Sequence, residues 1–123
     1  MGVLAITLSA LAAATLGVAG CGGPGSYSGP PPDELVSELS REDMRDLCVW
    51  VLDLHGGAGS EHLCSGGVSV TLDSVDECVR DQDEFDDCSL TVRQWEDCVL
   101  DTRDDPCGIL TARSCRPVAA CYF

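Results

Sequence analysis

The chain has 123 residues and a formal charge of −14, set by 21 acids against seven arginines and no lysine, and every charged residue follows position 32. That balance argues against nucleic acid as a partner and against adsorption to anionic lipid headgroups. Nine cysteines without a single Cys-x-x-Cys argue against a cytosolic zinc or redox motif and for disulfides made in an oxidising compartment.

Residues 1–20 carry no charge, and Val3 to Gly20 uses only Ala, Leu, Val, Ile, Gly, Ser and Thr. The run is long for a signal-peptide core and short for a membrane span. It closes on Val18-Ala19-Gly20-Cys21, which resembles the lipobox of bacterial lipoproteins: an aliphatic residue and two small ones ahead of the modified cysteine. The resemblance implies a lipoprotein signal peptide over 1–20, cleavage before Cys21 and a diacylglycerol thioether on that residue. Each buried acyl methylene contributes about 0.8 kcal/mol, so several chains anchor a small acidic domain to a bilayer. Gly22 in place of Asp implies the outer membrane by the enterobacterial sorting rule, with either face open. Met1-Gly2-Val3 departs from the pattern in having no Lys or Arg, which points to a start upstream. Two other fates compete: ordinary cleavage after Ala12-Ala13-Ala14, giving a soluble secreted protein, or retention as a membrane anchor.

Residues 21–32, Gly-rich and then Pro-rich, read as a tether, flexible near the anchor and stiffer near the domain. Residues 33–123 read as one acidic domain, small enough to need cross-links beside its core. Cys48, Cys64, Cys78, Cys88, Cys98, Cys107, Cys115 and Cys121 form an even set, so parity sets Cys21 apart.

Within the domain, Ser40 is placed to cap a helix, with Leu39 and Met44 spaced as a hydrophobic staple. Met44, Leu47, Cys48, Val51 and Leu52 make one apolar face, ending at Gly56-Gly57. Cys64 to Ser69 reads as a turn, and Val68-Ser69-Val70 is the only alternating run. Two further helices are expected to start at Thr71 and Thr91, an offset of 20 residues, each with an apolar residue before the cap and a Cys-Val later. Thr91 with Gln94 makes a full capping box, and Leu90 can staple to Trp95. Cys78 and Cys98 lie past the middle of their helices and are not expected to bridge in an antiparallel pair; the pairing is otherwise open. Asp105-Pro106 marks another restart, and Pro117 is expected to limit the C-terminus to one brief turn. The expected fold is mostly α, a small disulfide-stapled domain of three to four short helices.

Cys48 with nearby Trp50, the stretch Thr91 to Val99 and Asp105-Pro106-Cys107 together resemble the short cysteine-rich lipoproteins of myxobacteria. That resemblance implies secretion and disulfides and carries no catalytic residues with it.

Asp81-Gln82-Asp83-Glu84-Phe85-Asp86-Asp87 holds five acids in seven residues. Asp81, Asp83, Asp86 and Asp87 are the candidate oxygen ligands for Ca²⁺, although Phe85, Asp86 and Val92 break the EF-hand pattern. His55, Glu61, His62 and Cys64 are metal-ligand types without a known ligand spacing. Trp50, off the main apolar stripe, is a candidate partner contact. No Gly-x-Ser-x-Gly occurs, so the chain is expected to be non-enzymatic and without a cofactor. The expected role is a binding module of the cell envelope, held to the membrane through lipid on Cys21 and meeting a cationic protein. A Ca²⁺-binding envelope protein is the alternative.

Overall fold

The computed structural model describes residues 27–122. The leader, Cys21 and most of the tether lie outside the described residues. Four α-helices, five 3₁₀ turns and one short hairpin make up the described part. The four α-helices are α1 (Arg41–Leu54), α2 (Val75–Arg80), α3 (Val92–Asp101) and α4 (Arg116–Tyr122). The protein is therefore a small, mostly helical domain stapled by disulfides.

Helix α1 starts as its sequence dictates. The Ser40 hydroxyl accepts the Asp43 backbone N–H at 3.1 Å, and acids fill the first turn, where the dipole favours them. Met44, Leu47, Cys48 and Val51 face the core. The helix stops at His55, beyond which Gly56 takes a φ of +107°, a left-handed conformation that glycine adopts without penalty.

The chain then forms a hairpin that the composition hides. Strand β1 (Glu61–Leu63) pairs antiparallel with β2 (Ser69–Thr71) in the register Glu61 to Thr71, His62 to Val70 and Leu63 to Ser69. Gly66 and Gly67, at φ +78° and +77°, make the turn. Thr71 thus belongs to a strand and does not cap a helix. Backbone pairing runs on past it, with Leu72 donating to the Ser60 carbonyl at 2.8 Å, so Ser74 is the cap of α2. Ser74 and Glu77 form a reciprocal capping box. The expected twenty-residue likeness fails at this point: Cys98 lies seven residues after its cap, Thr91, but Cys78 lies only four after Ser74.

Helix α3 begins as predicted, with the Thr91–Gln94 capping box in place. Its entry is held by the start of the domain. Val36 donates to Leu90 O, Val92 to Glu34 O and Arg93 to Pro32 O, each at 2.9 Å. Asp105 accepts from the Cys107 N–H, with Pro106 opening a 3₁₀ turn. Helix α4 is longer than the single turn expected, because Pro117 sits at its second position, where an N–H has no partner within the helix to lose.

Met44, Leu47, Phe85, Val92, Val99 and Val118 form the centre of one core. Four disulfides tie its rim: Cys48–Cys78, Cys64–Cys107, Cys88–Cys121 and Cys98–Cys115. They join α1 to α2, the hairpin to the Pro106–Leu110 turn, the Asp81–Phe85 region to α4, and α3 to the turn before α4. Each closes a loop large enough to contribute about 3 kcal/mol in the chain-entropy account.

Candidate functional site

Helices α1 and α3 each turn a second face, at the edge of the core, toward the Tyr27 end of the chain. On α1 it carries Trp50 and Leu54, one turn apart; on α3 it carries Glu96, Leu100 and, just past the helix, Arg103. Tyr27 and Ser28 close the side, leaving a cleft of about 410 Å³.

Trp50 is 7% exposed, so it is not the free contact surface its off-stripe position implied. The reason is Tyr27, whose ring stacks on it with centroids 4.6 Å apart and planes within 15°. Residues 27–32, expected to be tether, pack as part of the domain. Pro30 is buried, and Pro31 and Pro32 accept backbone hydrogen bonds from Glu34 and Arg93.

Glu96 stands beside the Tyr27 hydroxyl. Gly29, at φ +67°, makes room for both, since a β-carbon there would lie 2.8 Å from Glu96 Oε1 and 2.9 Å from Tyr27 Oη. The Tyr27 oxygen is buried, and among the described residues no group meets it with hydrogen-bond geometry. Burial, followed by the Glu96 charge, pushes the Tyr27 phenol well above its ordinary range. Burial likewise raises the Glu96 carboxyl, with Asp97 adding to it and the Tyr27 hydroxyl opposing. The cleft therefore holds a partly desolvated carboxylate, with a buried phenol hydroxyl beside it, against an apolar wall.

The other candidates are placed elsewhere. Asp81–Phe85 is a 3₁₀ turn pinned by Phe85, which is 1% exposed, and Asp83, Asp86 and Asp87 are exposed around it. Asp81 lies 3.8 Å from Arg80. Among the described residues no group of three or more His, Cys, Asp or Glu is gathered to hold a metal ion. Asp81, Asp83, Asp86 and Asp87 are therefore not gathered into one ligand set in the described structure.

His55 and His62 do come together, as structural groups. The Thr102 hydroxyl donates to the Cys98 carbonyl at 2.8 Å, so His55 Nε2, 3.1 Å away, is the donor to Thr102. His62 Nε2 donates to the His55 carbonyl at 2.8 Å, fixing the hairpin to the end of α1. Burial, then the neighbouring His62, holds the His55 pKa below its ordinary value. Cys64 is consumed by its disulfide.

Among the described residues no helix is long and apolar enough to cross a membrane. No family model, curated protein or solved structure matches this chain.

Proposed function

We propose that the chain is a lipoprotein of the bacterial outer membrane, anchored through lipid on Cys21, whose acidic, disulfide-stapled domain is a non-enzymatic binding module for a cationic envelope or extracellular protein. One observation carries the anchor. The eight cysteines of the described residues pair with one another, so none of them is left over for Cys21, which follows Val18-Ala19-Gly20. A cysteine set apart by parity at the end of a lipobox-like run fits the role of a lipid acceptor. Disulfides of this density fit an oxidising compartment outside the cytoplasm.

The charge of −14 supports the binding half of the proposal, because it draws positively charged proteins and repels anionic ones. Expression of the wild type and Cys21→Ala in a lipoprotein-competent host with labelled palmitate tests the anchor. Label and membrane residence in the wild type, both lost in the variant, are expected. Equal soluble fractions without label would overturn the anchor and leave a secreted protein.

A further inference from the structure

The cleft beside Trp50 combines three properties that a cation seat requires. The first is a carboxylate without a cationic partner: among the described residues Glu96 forms no ion pair, and it sits partly withdrawn from water. The second is the buried Tyr27 hydroxyl beside it, which favours the charged form of that carboxylate. The third is an apolar wall of Trp50, Leu54 and Leu100, long enough to lie along an aliphatic stem.

The surrounding charges agree. Asp43, Asp46 and Glu96 all act on the Tyr27 phenol, and Asp97 acts on Glu96. Neither nearby cation forms an ion pair with Glu96: Arg103 lines the cleft with its Nε 3.8 Å from Asp104, and the Nε of Arg93, whose charge reaches Glu96, is 3.6 Å from Asp33. A neutral apolar ligand would bury the Glu96 charge without a cation to offset it, and an anion would meet Glu96 directly.

We propose that this cleft seats one basic side chain, arginine or lysine, of the cationic partner, with its stem among Trp50, Leu54 and Leu100 and its head donating to the Glu96 carboxylate. This rests on the cationic-partner proposal above and supplies its contact point. The Tyr27 hydroxyl turns its hydrogen toward the same carboxylate, whose lone pairs suffice for both donors. Because Tyr27 follows the tether directly, an occupied cleft also ties down the membrane-side end of the domain.

The test uses the intact lipidated protein in detergent micelles and follows the indole N–H signals of Trp50 and Trp95 by NMR. Three small probes are titrated: N-acetyl-arginine methylamide, its lysine counterpart and the neutral citrulline isostere; an arginine-rich peptide is a fourth. Saturable movement of Trp50 with the arginine and lysine probes, citrulline binding about tenfold weaker, and Trp95 unmoved is the expected result. Glu96→Gln should weaken the basic probes about tenfold, and Tyr27→Phe, which keeps the ring stack, about threefold. Citrulline binding as well as arginine, or both variants binding like the wild type, would overturn the seat. If the peptide still binds in a salt-sensitive way, the cationic-partner proposal survives that loss. No binding of any basic probe, the peptide included, would remove both.

Discussion

Tyr27 and Trp50 stack with their ring centroids 4.6 Å apart, which makes the end of the tether one wall of the folded domain. Gly29 gives the backbone room to bring Tyr27 to Glu96.

Removing that contact should expose the indole. Tyr27→Ala is expected to cost about 1–2 kcal/mol and to shift Trp50 emission to the red. Gly29→Ala should act in the same direction, since its β-carbon would meet Glu96 and Tyr27 in a backbone conformation that disfavours side chains. Urea unfolding and fluorescence of Trp95→Phe variants, in which Trp50 is the sole indole, check both.

The cap of α2 provides a second test. Ser74→Ala should lower stability by about 1 kcal/mol through loss of the Ser74–Glu77 capping box. Thr71→Ala, on an exposed strand position, should cost only about a few tenths. The opposite order in urea midpoints would restore Thr71 as the cap.

His55 makes stability depend on pH. Its folded pKa is depressed by burial, then by His62, so the unfolded chain binds a proton more readily. The stability it contributes is full above the unfolded value of about 6.5 and is lost as pH falls below it. Glu96 and Asp73, both raised chiefly by burial, act in the opposite direction, because the folded state then holds protons that the unfolded chain releases. The difference between wild type and His55→Gln isolates the histidine. It should shrink between about pH 7.5 and about pH 5, and a constant difference in urea melts would refute the buried neutral His55.

Disulfide mapping of the non-reduced protein should yield linked peptides for Cys48–Cys78, Cys64–Cys107, Cys88–Cys121 and Cys98–Cys115. A Cys78–Cys98 peptide is not expected. Replacing both Cys48 and Cys78 with Ser should lower stability by about 3 kcal/mol.

Much of the helical framework was legible in the sequence because caps are local. Ser40, Thr91 and Asp105 act on backbone groups two or three residues away, and the spacing of Met44, Leu47, Cys48 and Val51 marks one face of a helix unaided. The hairpin was hidden because Glu61-His62-Leu63 has no apolar alternation and is held by backbone pairing to Ser69–Thr71, which no side-chain pattern announces. That pairing removed Thr71 from capping. Pro117 signalled a break but stands where a helix tolerates it. The cleft was legible only through Trp50, which the helical period placed off the core stripe. Its remaining residues converge from Tyr27, α1 and α3, and nothing local marks that convergence except an aromatic residue in a Gly/Ser/Pro stretch.

The central claim is that Cys21 carries lipid while the other eight cysteines are paired with one another. Intact mass of the protein from the membrane fraction of a lipoprotein-competent host, taken before and after reduction with thiol alkylation, tests both halves at once. The account predicts the mass of residues 21–123 plus lipid, with eight thiols appearing only after reduction. A lipid-free mass beginning near Thr15, or one that retains Met1, would contradict it and make Cys21 an ordinary thiol.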